Sequence, residues 1–159
     1  MNQAASNEVV IRKFYTAFAS KDASTMASCY HQEVVFEDPA FGKLNGVEAS
    51  KMWEMLLTRS KDLAVVFSNV QTTEKQGAAD WVATYTFSRT GNKVINSIHA
   101  IFEFKDGKII KHTDSFNLSK WFVSAFGWKG LLFAYIPFLK NKFKQQAKKT
   151  LTDYIAKNQ

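Results

Sequence analysis

The chain has 159 residues, 46% of them hydrophobic and 14% aromatic, with two prolines. That composition excludes a disordered or collagen-like chain and fits one domain able to bury its own core without disulfides or metal. The formal charge of +7 lies entirely at the end: residues 1–118 hold thirteen basic and thirteen acidic side chains, whereas residues 119–159 hold eight lysines against Asp153 alone. A neutral body with a basic appendage is not the pattern of a nucleic-acid binder, so no nucleic-acid partner is expected. The single cysteine, Cys29, suits a reducing compartment, and the polar first residues carry no secretory pattern, so a cytoplasmic location is expected.

Val10, Phe14, Ala17 and Phe18 recur at helical spacing, which predicts a helix over residues 8–20 capped by Ser6 or Asn7. A second short helix is predicted over 23–30 with Asp22 as its cap. Val34, Val35 and Phe36 read as a short strand ending at Asp38-Pro39, because proline removes a ladder donor. Residues 40–46 read as a loop. Ala49, Met52, Trp53, Leu56 and Leu57 then form the stripe of a third helix.

From Leu63 onward the period becomes strand-like, with runs over 63–70, 80–90, 94–104 and 109–116. Gly91-Asn92 and Asp106-Gly107 are tight-turn signals that make the later strands antiparallel neighbours. Helices followed by a meander predict an α+β fold, with the helices on one face of a curved sheet. Residues 121–139 are strongly apolar but broken by Gly127, Lys129, Gly130 and Pro137. Phe143, Ala147, Leu151 and Tyr154 then make a helical stripe among lysines.

Four strings in this order resemble the nuclear-transport-factor-2-like superfamily, in its SnoaL-like and ketosteroid-isomerase-like branch. They are Phe14-Tyr15-Thr16-Ala17-Phe18 followed by Lys21-Asp22; Tyr30 followed by Phe36-Glu37-Asp38-Pro39; Gly46-Val47-Glu48-Ala49; and the run from Phe102 to Ile109 leading into His112-Thr113-Asp114. The resemblance covers residues 6–118. It implies a cone-shaped, curved antiparallel sheet wrapped around N-terminal helices, with an apolar pocket open at the wide end and homodimers paired through the outer sheet faces. The expected organisation is a cone domain over 1–118 and a C-terminal helical extension over 119–159 packing on it. Function varies widely on this fold, so the residues of the pocket must decide it.

By this resemblance Asp38 stands where ketosteroid isomerases keep their general base, and a carboxylate facing an apolar pocket suits proton transfer. The isomerases' oxyanion donors do not carry over: Phe14 and Ala100 occupy their positions, which makes steroid isomerisation improbable. Asp114 matches an acid/base position of the polyketide-cyclase and limonene-epoxide-hydrolase branches. His112, two residues earlier on the same strand, shares its face, together with Ile110 and Phe116. Val82, Thr84 and Thr86 occupy the stretch that would complete the epoxide-hydrolase triad. His99 is out of phase with Ala100 and is expected on the outer side of the sheet.

The catalytic candidates are thus Asp38, His112 and Asp114. Tyr15, Tyr30, Phe41, Trp53 and Trp121 are the candidate substrate-binding residues. No metal motif and no glycine-rich phosphate loop occurs in the sequence, so neither metal nor cofactor is expected.

Two functions stay open. One is a cofactor-free isomerase, cyclase or hydrolase acting on an apolar carbonyl compound. The other is a non-catalytic lipid- or metabolite-binding module that meets a membrane surface or partner through its basic tail. The tail likewise reads two ways, as a lid over the cone or as an interfacial segment held by its lysines. Trp121, Phe122, Phe126 and Trp128 favour the lid, since exposed they would form a large apolar patch.

Overall fold

A computed structural model describes residues 2–158. Helix α1 (Gln3–Ala19) begins earlier than its apolar spacing predicts, because the Asn2 side chain caps it by accepting from the Ala5 amide. Asn7 is therefore not a cap. It is buried within the helix, where its amide nitrogen donates to the carbonyls of Thr73 (3.0 Å) and Glu74 (3.1 Å). Helix α2 (Ala23–Cys29) is capped by Asp22 as expected, through a 2.9 Å bond from the Thr25 amide.

Strand β1 (Tyr30–Asp38) is longer than its apolar triplet. The segment read as a loop contains a further strand, β2 (Gly42–Asn45), antiparallel to β1. The hairpin between them is closed by the Asp38 carboxylate, a side-chain device that strand periodicity does not register. Helix α3 (Val47–Arg59) follows. Then come β3 (Ala64–Thr72), β4 (Gln76–Thr86), β5 (Lys93–Lys105) and β6 (Lys108–Ser115). Strand β4 starts at Gln76, ahead of Asp80, because Gly77 and Ala78 pair with Phe102 and Ile101. A side chain at Gly77 would meet Ile11, so glycine there lets α1 lie close to the sheet.

The six strands run in the order β2-β1-β6-β5-β4-β3. All neighbouring pairs are antiparallel except β1 and β6, which are parallel and form a seam one strand in from the β2 edge. A parallel pair needs a long crossover, which the whole of β2 through β5 supplies. The inner face presents Val34, Phe36, Ala79, Trp81, Ala83, Ile98, Ala100, Phe102 and Ile109, packed against Ile11, Phe14, Phe18, Met52 and Trp53 of the helices. A register shift between Glu103 and Phe104 leaves Ile110 without a partner across the ladder and puts Ile109 in the core. Ile110 therefore departs from the simple alternation that groups it with His112.

The C-terminal region folds as α4 (Leu118–Phe126), a 3₁₀ turn (Gly127–Lys129), α5 (Gly130–Tyr135) and α6 (Pro137–Lys157). Among the described residues no single helix is long and apolar enough to cross a membrane, and the axis bends by 117° between Leu118–Tyr135 and Pro137–Lys157. Phe122 is fully buried, with the ring of Phe143 edge-on at 4.9 Å. Gly130 is obligatory for this crossing, because a Cβ there would overlap the carbonyl of Phe122. Helix α6 reaches α3 through buried Leu151 and a 2.9 Å bond from the Tyr154 hydroxyl to Glu54.

Candidate active site

Helices α3, α4 and α6 and the inner face of the sheet enclose a cavity of about 450 Å³, lined by both carboxylates Asp38 and Asp114 among mainly apolar side chains. The sheet explains their proximity. On the parallel seam Phe36 is opposite His112 and Glu37 opposite Thr113, so Asp38 and Asp114 stand one step further along adjacent strands, on the inward phase. A second depression, of about 490 Å³, runs along the outside of α1 beside Lys13 and Asp22. It lies away from both carboxylates, and Asp22 is already engaged as a helix cap.

Asp38 is half-buried at the hairpin. Its Oδ1 accepts from the amides of Phe41 (2.6 Å) and Ala40 (3.0 Å). Burial in the apolar wall pushes its carboxyl up to about 7; the Phe41 and Ala40 amides oppose the shift, and the charge of Asp114 adds to it. Asp38 is thus both the turn-closing residue and the titrating group of the cavity.

Asp114 is fixed differently. Its Oδ1 accepts from His112 Nε2 (2.9 Å) and Trp81 Nε1 (3.3 Å). Behind it, His112 Nδ1 meets the Tyr30 hydroxyl at 2.8 Å, and that hydroxyl accepts from Trp53 Nε1 at 2.8 Å. Every proton in this chain has a place if His112 is the neutral Nε2–H tautomer: Trp53 donates to Tyr30, Tyr30 to His112, and His112 to Asp114. The imidazole is fully buried, stacked on Trp53 and packed against Phe102 at 4.4 Å.

Of the sequence candidates, the cavity therefore receives Asp38, Asp114, Phe41, Trp53 and Trp121. His112 does not reach it; the ring stands behind Asp114 and orients that carboxylate. Tyr30 also lies behind the wall, as the link between Trp53 and His112. Tyr15 is buried outside the cavity, stacked on Phe67 at 5.4 Å, and its hydroxyl has no hydrogen-bond partner among the described residues. Burial holds that hydroxyl well above the ordinary tyrosine range. Tyr15→Phe is accordingly expected to leave the fold intact and raise stability by about 1 kcal/mol, the cost of burying an unpaired hydroxyl. Urea unfolding checks this, and an equal loss would mean that the hydroxyl has a partner.

Sequence reasoning missed Tyr85. Val82, Thr84 and Thr86 carry the sequence expectation for this strand, but on β4 the buried positions are Gly77, Ala79, Trp81 and Ala83, and Tyr85 continues their phase into the cavity. Strand alternation counted from Trp81 would have found it. The Tyr85 hydroxyl accepts from Trp121 Nε1 at 2.8 Å, and burial raises its pKa above the usual tyrosine value. Among the described residues nothing accepts its own proton, which remains available to an oxygen in the cavity. Arg59, Asn96 and Gln146 add polar groups to the same wall. Their residue types carried no pattern signal. His99 is on the outer face as expected, bonded to Asp80 at 2.7 Å.

The family model for the SnoaL-like domain matches residues 11–112. The chain belongs to the SnoaL-like family. No curated protein matches it by sequence. Among solved structures, a protein from Jannaschia sp. CCS1 proposed to be a SnoaL-like polyketide cyclase superposes with a TM-score of 0.70 at 13% identity, covering 80% of this chain and 96% of that one. An epoxide hydrolase of M. tuberculosis, similar to limonene epoxide hydrolase, gives 0.65 at 16% identity, over 84% and 98%. TerC, crystallised with polyporic acid, gives 0.66 at 16% identity, over 77% and 99%. At such identities the likeness is one of fold. The SnoaL-like family binds small molecules, which agrees with a partly open apolar cavity. The chain is thus a SnoaL-like protein whose family match ends two residues short of Asp114.

Proposed function

We propose that this SnoaL-like protein is a cofactor-independent proton-transfer enzyme of the isomerase or cyclase type, acting on an apolar carbonyl compound. The observation that carries the reading is the unequal pair of carboxylates in one apolar cavity: Asp38 pushed up to about 7, and Asp114 tied by two donors. A carboxylate that burial poises near neutrality in an apolar cavity suits general acid/base work. Asp38 takes a proton from the carbon next to the carbonyl, and the electron pair of that C–H bond moves onto the carbonyl oxygen. Tyr85 donates its hydrogen bond to that oxygen, in place of the donors whose positions Phe14 and Ala100 fill. The protonated Asp38 then returns the proton to carbon. Burial keeps Asp38 basic enough for the first step, and the charge of Asp114, held in place by His112 and Trp81, adds to it.

Deuterium wash-in from D₂O across a panel of lipophilic ketones, followed by NMR, tests this. Exchange above the buffer rate that falls in both Asp38→Asn and Asp114→Asn supports it. Exchange that is absent, or unmoved by both substitutions, removes the assignment.

The lack of family oxyanion donors at Phe14 and Ala100 favours a second reading, in which the cavity only carries an apolar ligand. A stoichiometric small molecule in native mass spectra, with no wash-in, would select it. The same spectra report whether two copies pair, as exposed Val66, Ile95 and Ile101 on the sheet suggest.

A further inference from the structure

The bend between α5 and α6 projects an apolar knee into solvent. Trp128, Tyr135 and Phe138 are 73%, 78% and 72% exposed, and Leu131, Leu132 and Ile136 between them are exposed as well. The sequence favoured burying Trp128 under a lid, and the structure does not do so. The opposite faces of these helices explain the packing that holds the knee out: Phe122, Phe126, Phe133 and Phe143 form a ring cluster, with Phe126 stacked on Phe133 at 4.9 Å. A contiguous apolar surface supported by its own core marks a contact site.

We infer that this knee docks on an anionic lipid bilayer, with the Trp128–Phe138 apolar tip entering the interface and the lysines around it meeting the headgroups. Three observations choose lipid. First, indole and phenol rings flank aliphatic side chains, the composition that partitions at headgroup level. Second, charge is complementary. Lys129, Lys140, Lys142, Lys144, Lys148 and Lys149 surround or follow the tip, and no acidic residue occurs between Leu118 and Thr152. Among the described residues, only Lys149 of these has a carboxylate partner, Asp153. Third, a second copy is a poor occupant, because a symmetric contact across the knee would face lysines with lysines.

The knee joins the helices that wall the cavity through Trp121 and Phe143. Lipid contact thus sits beside the chamber, whichever reaction or ligand the chamber serves.

Vesicle flotation of the full chain tests the inference. The wild-type chain is expected to float with phosphatidylglycerol–phosphatidylcholine vesicles at least about tenfold more than with phosphatidylcholine alone, each lysine near the surface adding roughly fivefold. Trp128→Ser/Tyr135→Ser/Phe138→Ser should abolish flotation with the melting temperature unchanged. Independently of that variant's folding, brominated acyl chains should quench wild-type tryptophan emission, and Trp128→Phe should remove the quenching. Absence of flotation, or flotation and quenching that survive these substitutions, would overturn the inference. So would a wild-type dimer that does not float and that the triple substitution converts to monomer, since a second copy would then be the occupant.

Discussion

Asp38→Asn is expected to lower turnover by about 10²–10⁴-fold, the usual contribution of a positioned general base. Asparagine keeps an Oδ1 that can accept from Phe41 and Ala40, so the hairpin survives and the loss reports chemistry. In the wild-type chain the rate should rise with pH through about 7, where the carboxylate forms, and the variant's residual rate should be flat over that range. Stability carries a matching signature. The unfolded chain releases this proton near 3.8 and the folded chain near 7, so the folded state binds more protons between those values and is progressively destabilised as pH rises across them. The penalty is complete above the folded value and absent below the unfolded one. Its ceiling is roughly 4 kcal/mol, and solvent reaching Asp38 through the cavity should reduce it to about 1–3 kcal/mol. Asp38→Asn should therefore be more stable than the wild type at pH above about 8 and no more stable near pH 4. Denaturant titrations at both ends check this, and identical pH profiles would remove Asp38 as the titrating group.

His112→Ala is expected to cost about 3–5 kcal/mol, the largest stability effect among the site residues. The substitution opens a ring-sized void among Phe14, Phe36, Trp53 and Phe102. It also leaves the Tyr30 hydroxyl without its acceptor and Asp114 Oδ1 with Trp81 as its only donor. For a chain of this length that corresponds to a melting temperature lower by about 10 °C. A loss below about 1 kcal/mol would show that the buried chain of hydrogen bonds contributes little beyond what its apolar replacement offers.

The elements that sequence resolved are those with a local cause. Asp22 caps α2 by its own side chain, Asp106-Gly107 turns the last hairpin, and the stripe from Ala49 to Leu57 is a helix because its apolar spacing has no rival. Asp38 and Asp114 were legible as candidates because each stands at a strand end beside recognisable neighbours. What escaped depends on contacts distant in sequence. Strand β2 exists because of the Asp38 turn and its pairing to β1, with no apolar alternation of its own. Asn7 looked like a cap until the carbonyls of Thr73 and Glu74 claimed it. His112 and Asp114 share a face as strand geometry requires, yet only tertiary packing puts the carboxylate on the cavity and the imidazole behind it. Tyr85 needed the phase of β4, which the threonines on either side of it obscured.

The parallel seam also orders events in time. Asp38 sits on the first strand to be synthesised and Asp114 on the last, and they meet only when β6 slots between β1 and β5. Until then a growing chain carries Asp38 as an ordinary solvated acid. Closing so long a loop is entropically costly, so the seam is expected to form late in folding. Helices α4 and α6, which complete the chamber, emerge later still. The basic carboxylate and its enclosure thus both depend on elements from the last third of the chain, β6 first and then α4 and α6.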